Sequence, residues 1–567
     1  MKVLGICHDV LICAAALVED GEVVAAAPEE RFDRRKQSRV FPTRAVDWCL
    51  AHAGIGLEDV DEIAIAWNPG IDIETLPAGW LDARRHRGEH LTSVPTRLMR
   101  AAGSRASDAL TIQAGFAGAP PITFVNHYDA HIGNSYFLSG WDEAAIAVLD
   151  GRAERQTSLL GSVRGTEVTR LSEVTYPHSL GLLYGTVTQF LGFRPDSDEW
   201  KVMALGSAAE VDNEFVAPLR SMVHVAADGT FRLDLQYFEF FNQFDPRMYS
   251  DRWVEVFGAP RHRDDELTER HERLSSACQT VFEEVTTAVL TSLHEQTGLA
   301  RLAVSGGCFM NSVYNGKVTD VTPFDEVFVS SCPDDSGTAV GAALYLEAQR
   351  TGTKRTTTIA TNYWGPSFTD EQCLATAERC RLPNVTVVDD PSATAAADLV
   401  DGRIVGWFQG AMEFGQRALG HRSILLDPRR ADGKALVNAA IKYREGFRPF
   451  APAILAERVS EWFECSADAR VPFMERVFPF QKEKQSLVPA VVHTDGSGRL
   501  QTVEPEQAPR YHALIAEFER LTGVPIVLNT SFNLNGEPVV CTPEDAIRTF
   551  YSCALDVLYL GNVRIAK

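Results

Sequence analysis

The sequence is short of several features that mark particular classes of protein. A transmembrane helix needs about 18 consecutive apolar residues, and no such run occurs, so no membrane span is expected. The 11 cysteines are widely spaced and form no CxxC pair, which predicts reduced thiols in a cytoplasmic protein rather than a disulfide framework or a zinc ribbon. The N-terminal residues resemble a signal peptide only briefly, because Asp9, Glu19 and Asp20 interrupt them.

Positive charge is also scarce. The chain has 54 Lys and Arg against 76 Asp and Glu, a formal net charge of −22. So negative a surface repels nucleic acid and anionic membrane at long range, so neither is expected as a partner, although a local basic pocket can bind a small anion. Hydrophobic residues, at 45%, are abundant enough for a sizeable core. The length of 567 residues predicts about three to five compact units, which can be fused into larger lobes.

Two segments share a pattern of three apolar strands joined by glycine-containing turns. The first spans residues 2–31 and the second spans 144–176, and mostly helical sequence follows each. Two such copies indicate an internally duplicated α/β fold, the ribonuclease-H-like plan of actin and sugar kinases. Residues 351–368 lose the apolar period and predict a linker, and a second α/β unit begins near residue 369.

A candidate metal site comes from the segment NHYDAHIGNSYF, in which His127 and His131 are four residues apart. On a helix this spacing brings both imidazoles to one face. There they can share a metal ion or, alternatively, pair with carboxylates or water. Asp150 ends the apolar run AIAVLD, and Asp335 occupies a similar strand-end position. Two imidazoles and two carboxylates in one cleft would suit iron, manganese or zinc.

A candidate phosphate site comes from a local cluster of basic residues. The cluster contains Arg417 and Arg422 in FGQRALGHRS, and Lys442, Arg444 and Arg448 in AAIKYREGFRP. Arg499 and the polar loop LNTSFNLNGEP lie further along the chain. Arginine offers a planar fork that clamps phosphate oxygens, and lysine adds a point charge. The cluster therefore predicts phosphate binding, whereas a scattered charged face would merely be solvated.

Motifs along nearly the whole chain carry a resemblance to one family, the bacterial O-carbamoyltransferases that act on nodulation factors, cephamycins, tobramycin and ansamycins. The matching stretches, in order, are AALVEDGEVVAAAPEERFDRRK, NHYDAHIGNSYF, AVLDG, SLGLLYGTVTQFLGF, KVMALG, VSGGCFMNSVYNGK, FGQRALGHRSIL, REGFRPFAPAIL and LNTSFNLNGEPVV. The resemblance implies an α/β protein with a duplicated actin-like N-terminal lobe (residues 1–352), a linker (353–368) and a YrdC-like α/β C-terminal lobe (369–567).

The resemblance also implies the reaction. In that family the C-terminal lobe forms carbamoyl-adenylate from carbamoyl phosphate and ATP, with Mg²⁺ expected beside ATP. The N-terminal lobe, with Fe²⁺ bound, transfers the carbamoyl group to a hydroxyl of a small-molecule natural product. A transferase of antibiotic biosynthesis or other secondary metabolism is therefore expected. The sequence leaves the acceptor alcohol and the oligomeric state open.

Individual site residues follow from the same resemblance. The metal ligands match His127, His131, Asp150 and Asp335. Lys36, Gly307 and Asn311 lie where the family holds the adenylate. The carbamoyl-phosphate and ATP pocket matches Arg417, Lys442, Arg448 and Arg499, and the polar loop that closes it matches Asn529 and Ser531. His131, Lys442 and Arg448 are expected to be catalytic.

The sequence departs from the family pattern in two places. Many relatives carry an HDSAA-type stretch where this chain has LICAA, with His8 and Asp9 three residues earlier, so acceptor recognition is open. The usual DGxGE is DGRAE here, with Ala153 in place of glycine. His8 and Asp9 are candidates for a general base, and a buried structural pair is the equal alternative.

Three other functions remain alternatives. An actin-fold small-molecule kinase or another ATP-dependent transferase would not need four metal-ligand candidates in one lobe. Threonylcarbamoylation of tRNA is opposed by the net charge of −22. A non-enzymatic actin-like scaffold would form polymers and consume no carbamoyl phosphate.

Overall fold

A computed structural model describes residues 1–8, 10–68, 120–242, 246–438 and 450–567. Contacts divide the chain into two units. The first comprises Met1–Glu29 and Arg39–Ile359, and the second comprises Glu30–Ser38 and Ala360–Lys567. The division between residues 359 and 360 falls within the segment predicted as a linker. Glu30–Ser38, which the sequence assigned to the first lobe, groups with the second unit.

The first unit contains two five-stranded sheets. The first sheet consists of β1 (Lys2–Cys7), β2 (Ala14–Glu19), β3 (Glu22–Pro28), β4 (Glu62–Ile65) and β5 (Ile122–Phe124), in the order β3-β2-β1-β4-β5. The chain continues with β6 (Glu143–Leu149), β7 (Gln156–Arg164), β8 (Glu167–Thr175), the separate pair β9 (Val223–Val225) and β10 (Phe231–Leu233), then β11 (Arg301–Ser305) and β12 (Glu326–Val329). The second sheet has the order β12-β11-β6-β7-β8.

The two sheets repeat one topology. In each, the first three strands form an antiparallel meander. The last two strands add in parallel beside the first. The central strands are buried, and Ala144 to Leu149 of β6 are all 0% exposed, as expected where both faces of a sheet are covered. The repeated order confirms the predicted duplication of a ribonuclease-H-like fold.

Helices cover these sheets. Those of the first unit are α2 (Thr43–Ala53), α3 (His127–Gly133), α4 (Tyr136–Ser139), α5 (Leu180–Phe190), α6 (Glu199–Gly206), α7 (Val216–Ser221), α8 (Asp251–Phe257), α9 (Glu269–Thr297), α10 (Ser312–Asn315), α11 (Val318–Val321) and α12 (Thr338–Thr351), and α1 (Glu30–Asp33) belongs to the second unit. Short 3₁₀ turns span Leu57–Asp59, Leu235–Tyr237, Gly307–Met310 and Asp335–Gly337. Within the described ranges, no helix is both long enough and apolar enough to cross a membrane.

Helix α3, which carries both histidines, contacts α12 through backbone atoms. A Cβ added to Gly341 would lie 1.8 Å from the carbonyl oxygen of Ala130, and one added to Gly133 would lie 1.9 Å from the carbonyl oxygen of Gly341. On the opposite side of α12, a Cβ on Gly5 of β1 would lie 1.9 Å from the carbonyl oxygen of Ala339. These glycines leave no space for a side chain, so α3, α12 and β1 are held in fixed register.

The second unit is built on one mixed sheet of nine strands. The strands are β13 (Val385–Val387), β14 (Val405–Phe408), β15 (Arg422–Leu426), β16 (Ala451–Leu455), β17 (Arg476–Pro479), β18 (Ser497–Val503), β19 (Ile526–Ser531), β20 (Val557–Leu560) and β21 (Val563–Ala566), in the order β13-β21-β20-β14-β15-β19-β16-β18-β17. Only β14 with β20 and β16 with β18 pair in parallel among the described strands of this sheet. The α/β class is confirmed, and the YrdC-like topology of this lobe stays a prediction.

Helices also pack on this sheet. They are α13 (Asp370–Arg379), α14 (Pro391–Val400), α15 (Gly433–Val437), α16 (Val459–Trp462), α17 (Pro509–Thr522) and α18 (Pro543–Tyr551), with 3₁₀ turns at Ala456–Arg458 and Gln485–Leu487. Trp407, Leu425 and Val527 are fully buried in the core between the layers.

The segment Glu30–Ser38 is tied to the second unit by arginine side chains. Nη2 of Arg31 donates to the carbonyl oxygen of Gly415 at 2.8 Å. Nη1 of Arg34 donates to the carbonyl oxygen of Val539 at 2.6 Å. The motif ERFDRRK therefore belongs structurally to the C-terminal part of the chain, from which it is separated by more than 300 residues.

Gly341→Ala should destabilise the first unit, because the added methyl group overlaps the backbone of α3. Overpacking of this kind costs about 1–3 kcal/mol, measured as a lower free energy of unfolding in denaturant. Gln349→Ala on the exposed face of the same helix is the control and should change stability by less than about 0.5 kcal/mol. Equal stability of Gly341→Ala and wild type would show that α3 and α12 are not in backbone contact.

Candidate metal centre and phosphate site

The structure brings together the four side chains predicted to bind metal. Ligand atoms of His127, His131, Asp150 and Asp335 all lie within 4.8 Å of one another. The histidines lie on α3, which follows β5, Asp150 directly follows β6, and Asp335 lies beyond β12. Ligand sites of open α/β sheets form beyond the carboxyl ends of strands, so the topology accounts for this convergence.

The distances within the cluster are short. Nε2 of His131 lies 3.1 Å from Nε2 of His127 and 3.2 Å from Oδ2 of Asp150. Nε2 of His127 lies 3.3 Å from Oδ1 of Asp335. Both histidine side chains are 0% exposed and that of Asp335 is 31% exposed, so solvent reaches the cluster on the Asp335 side.

The outer nitrogen of each imidazole is bound to an acceptor. Nδ1 of His127 donates to the carbonyl oxygen of Ala66 at 3.2 Å. Nδ1 of His131 lies 2.9 Å from Oγ of Ser305, whose hydroxyl donates to the carbonyl oxygen of Pro333 and therefore accepts from the imidazole. Both Nε2 atoms consequently face the centre of the cluster. Two such nitrogens repel unless a proton or cation lies between them, so these residues fit a metal ion.

The electrostatics of the cluster also favour bound positive charge. Burial by itself lowers the pKa of His127, but the carboxylates of Asp150 and Asp335 outweigh burial and raise that pKa well above its usual value. Burial opposes ionisation of both carboxyl groups, yet the imidazoles hold their pKa values below the usual range. A divalent cation would replace protons here on binding.

Backbone amides orient Asp150. Its Oδ1 accepts from the N–H of Gly151 at 2.7 Å and from the N–H of Gly307 at 3.0 Å, which leaves Oδ2 to face the imidazoles. Gly306 adopts a φ of 97°, and a Cβ there would lie 2.2 Å from the carbonyl oxygen of Leu149. The Gly306–Gly307 turn therefore approaches β6 closely enough to hold the carboxylate.

The DGRAE motif supports α3 as well. Oε1 of Glu154 accepts from the N–H of His127 at 3.0 Å and from the N–H of Asn68 at 2.8 Å. Ala153, at the position where relatives carry glycine, is buried, and its N–H donates to the carbonyl oxygen of Gln156 at 2.8 Å. The methyl group of Ala153 is thus buried, and Asp150 accepts hydrogen bonds from Gly151 and Gly307 beside it.

The remaining predicted adenylate residues lie in different places. Asn311 forms a reciprocal amide pair with Gln279 of α9, at 2.8 and 3.1 Å. Lys36 is exposed on the segment that groups with the second unit, whereas Gly307 and Asn311 belong to the first. Of the two base candidates, His8 lies with its ring 5.3 Å from that of Phe41, and Asp9 lies outside the described residues.

Arg417 and Arg499 form the described part of the predicted phosphate site. Burial, together with the nearby charge of Arg417, lowers the pKa of Arg499 well below its usual value, although the nearby carboxyl group of Glu475 opposes this shift. Nε of Arg499 donates to the carbonyl oxygen of Met474 at 2.7 Å, which fixes its guanidinium. Two neighbouring, partly desolvated cations are stabilised by a shared anion. Lys442, Arg444 and Arg448 lie outside the described residues.

Arg422 has a different role from Arg417. It is 0% exposed, and its guanidinium donates to the carbonyl oxygens of Gln409 and Pro366 at 2.5 and 2.9 Å. The guanidinium carbon also lies 3.6 Å from the centroid of the Phe408 ring. Burial leaves Arg422 no access to a ligand, so its grouping with the phosphate cluster is wrong. Arg422 instead links neighbouring loops to the sheet by these hydrogen bonds.

Glu413 folds the loop that carries Arg417. Its Oε1 accepts from the backbone N–H groups of Leu419, His421 and Arg422 at 2.8, 2.7 and 3.1 Å. One buried carboxylate thereby closes the loop around Arg417. No motif in the sequence marks this residue.

The two residues of the predicted polar loop occupy different environments. Asn529 is 1% exposed, and its amide nitrogen donates to the carbonyl oxygen of Ala418 at 3.1 Å. Asn529 therefore stabilises the loop that carries Arg417. The hydroxyl of Ser531 donates to Oδ1 of Asn533 at 2.6 Å. Ser305 and Glu154, which position metal-ligand residues, were not predicted from the sequence. Both lie within motifs shared with the family, VSGGCFMNSVYNGK and DGRAE, and this location could have identified them.

Comparison with known proteins identifies the family. The family model described as Carbamoyltransferase N-terminus matches residues 2–344, and Carbamoyltransferase C-terminus matches residues 396–567. The chain belongs to the carbamoyltransferase family. The resemblance inferred from the motifs is confirmed, as is the prediction that the protein is a carbamoyltransferase enzyme.

Individual relatives span most of the chain. The protein sll1178 of Synechocystis sp. is 37% identical over 98% of this chain and 95% of its own length. Nodulation protein NolNO of Sinorhizobium fredii is 35% identical over 98% of this chain and 78% of its own length. Among solved structures, full-length HypF in its phosphate- and nucleotide-bound form is 12% identical, with a TM-score of 0.32 over 62% of this chain and 56% of that chain. The fold assignment rests on strand order and not on this last likeness.

Ser305→Ala should lower metal affinity while leaving all four ligands in place, because His131 loses the acceptor that orients its ring. Loss of such a supporting hydrogen bond typically reduces affinity about 10–100-fold. Chelator competition would measure the dissociation constants of Fe²⁺ and Zn²⁺. Ser292→Ala, which removes a hydrogen bond from α9 to the carbonyl oxygen of Ala227, is the matched control. Unchanged affinity in Ser305→Ala would refute the assigned role.

Glu413→Ala should destabilise the second unit by about 2–4 kcal/mol, because several buried N–H groups lose their acceptor. Glu413→Gln retains a carbonyl oxygen at the same position and should cost less than half as much. Denaturant unfolding measures both, and titration with pyrophosphate shows whether Arg417 is still positioned. A Gln variant as unstable as the Ala variant would contradict the hydrogen-bonding role.

Proposed function

We propose that the protein forms carbamoyl-adenylate from carbamoyl phosphate and ATP in the second unit and transfers the carbamoyl group to an alcohol in the first. The observation that carries this proposal is the pairing, in one carbamoyltransferase chain, of two sites of opposite charge. The Arg417–Arg499 pair suits phosphates, and the four-residue cluster around His131 suits a divalent cation. Carbamoyl phosphate and ATP are thus the co-substrates, with Mg²⁺ expected beside ATP.

The first half-reaction needs neutralised phosphate charge. One water converts carbamoyl phosphate into carbamate and phosphate, and the carbamate oxygen then attacks the α-phosphorus of ATP with release of pyrophosphate. The product is a mixed anhydride whose leaving group, AMP, is better stabilised than an alkoxide. Arg417 and Arg499 hold the phosphates and reduce the repulsion that otherwise keeps an anionic nucleophile away. Lys442 and Arg448 are proposed to act with them.

The second half-reaction needs a polarised donor and an oriented acceptor. A divalent cation, which we propose to be Fe²⁺, would supply Lewis-acid polarisation of the donor when held by His127, His131, Asp150 and Asp335. The acceptor oxygen attacks the carbamoyl carbon, its proton departs, and AMP leaves. Ser305 fixes the orientation of the His131 ring, and the N–H groups of Gly151 and Gly307 fix that of Asp150. The exposed side of Asp335 gives the reactants access.

The acceptor class and cellular setting follow from the same proposal. The resemblance described above points to a hydroxylated small molecule of specialised metabolism. All 11 cysteines are free thiols, which is typical of a reducing compartment and supports a cytoplasmic location. Lys36, Gly307 and Asn311 remain the proposed adenylate contacts.

The two half-reactions should be separable by substitution. Wild-type protein with carbamoyl phosphate and ATP should produce AMP, pyrophosphate and carbamoyl-adenylate. Arg499→Ala should lower that rate at least about 100-fold, because the phosphates lose a charged donor, yet it should use supplied carbamoyl-adenylate. His131→Ala should do the reverse. Product analysis by liquid chromatography and mass spectrometry measures both reactions.

Controls distinguish this function from its rivals. Omission of carbamoyl phosphate should abolish pyrophosphate release. Phosphoryl transfer from ATP to an alcohol, without consumption of carbamoyl phosphate, would establish a kinase instead. Loss of both half-reactions in His131→Ala, with an unchanged melting temperature, would contradict the division of labour between the two units.

A further inference from the structure

A histidine in the second unit has its proton fixed by two neighbours. At the turn before β18, Nδ1 of His493 lies 3.1 Å from Oγ of Ser497, and the Ser497 hydroxyl donates to Oδ1 of Asp495 at 2.7 Å. Since the carboxylate can only accept, the hydroxyl proton points to Asp495. The serine oxygen then accepts from the imidazole. The ring proton of His493 therefore lies on Nδ1, and Nε2 keeps its lone pair.

The lone pair on Nε2 is buried. Within the part of the chain that the structure describes, no group donates a hydrogen bond to this atom. A buried acceptor without a donor costs about 1–3 kcal/mol, so a donor supplied by a bound molecule would stabilise Nε2. Nε2 is thus prepared to receive a hydrogen bond from a bound molecule.

The surroundings of His493 are cationic. Lys434 of α15 donates to the carbonyl oxygen of Val492, the residue before His493, and Arg499 lies two residues beyond Ser497 on β18. Burial lowers the pKa of His493 to about 4, and the charges of Lys434 and Arg499 contribute, although Asp495 opposes them. The ring is therefore neutral near pH 7, and its Nε2 can accept but not donate.

A neutral acceptor among cations selects an unusual ligand. Phosphate oxygens are attracted to Arg499 and Lys434 but are repelled by the lone pair on Nε2. A group that carries N–H bonds is favoured at Nε2 and disfavoured at the cations. A molecule with a phosphate beside an amide nitrogen satisfies both requirements, and carbamoyl phosphate has this structure, whereas acetyl phosphate carries a methyl group in place of the amine.

We propose that His493, oriented by Ser497 and Asp495, accepts a hydrogen bond from the amide nitrogen of the carbamoyl group while Arg499 holds the adjacent phosphate. This inference rests on the proposed function and adds the residue that distinguishes a carbamoyl from an acyl phosphate. A site built to bind an N–H group rejects analogues that lack it, because its own polar group is left unpaired.

Three variants test this subsite in the full-length protein. His493→Leu removes the acceptor and should raise the KM for carbamoyl phosphate about 10–100-fold in pyrophosphate release, the range for one lost buried hydrogen bond. His493→Gln places a carbonyl oxygen near the position of Nε2 and should restore at least part of this loss. Ser497→Ala frees the imidazole proton and should have an intermediate effect. His512→Leu is the matched control: His512 lies on α17 and its ring is hydrogen-bonded to Glu457.

Two further readouts separate recognition from stability. The KM for ATP, and the affinity for inorganic phosphate measured by calorimetry, should stay within twofold of wild type in His493→Leu. Acetyl phosphate should inhibit the wild type weakly and His493→Leu no less strongly, so that the preference for carbamoyl phosphate falls. Melting temperatures show which variants are folded.

The outcomes distinguish the two proposals. If wild-type protein releases no pyrophosphate with carbamoyl phosphate and ATP, the proposed function fails. If the wild type is active and a folded His493→Leu keeps its KM for carbamoyl phosphate, the subsite is refuted alone. Should His493→Leu fail to fold, an unchanged KM in folded Ser497→Ala overturns the inference. Equal loss of phosphate and carbamoyl-phosphate affinity would also overturn it, because His493 would then affect the cations rather than the amide.

Discussion

Two imidazole nitrogens, buried and 3.1 Å apart, face each other and two carboxylates, and the architecture of the first unit serves to keep them there. This arrangement requires a positive charge at its centre. The glycine contacts between α3 and α12 fix the helix that carries both rings. Acceptors at Ala66 and Ser305 fix the tautomers, and the turn at Gly307 fixes Asp150. Each of these contacts positions a side chain that is a candidate metal ligand.

Duplication explains how such a site can assemble. The first repeat supplies His127 and His131 after β5, and the second supplies Asp150, Ser305 and Asp335 from the ends of β6, β11 and beyond β12. Neither repeat contains the whole ligand set. The same strand order in both places the carboxyl ends of their parallel strands on corresponding edges, so a site shared by the two repeats needs no additional domain.

The second unit brings two positive charges close together, whereas the first unit brings together two carboxylates. In a chain of net charge −22 it keeps Arg417 and Arg499 close together and partly desolvated. Glu413 closes the loop that carries Arg417, because its Oε1 accepts from three backbone N–H groups of that loop and the strand after it. Burial, aided by the charges of Lys434 and Arg499, keeps His493 neutral. Charge is thus used locally to set the hydrogen-bonding character of neighbouring groups.

The sequence by itself determined the duplicated fold, the α/β class and the family, because these depend on local periodicity and on motifs read in order. It also determined the ligand pair on α3, since a spacing of four residues fixes a helix face. Only tertiary structure joined His131 to Ser305, 174 residues away, and grouped Glu30–Ser38 with the C-terminal unit. It also separated Arg417 from Arg422, which are alike in sequence but differ in burial. The spacing of residues along a helix determines which face each side chain lies on. Only the packing of segments distant in sequence determines which residues that face contacts.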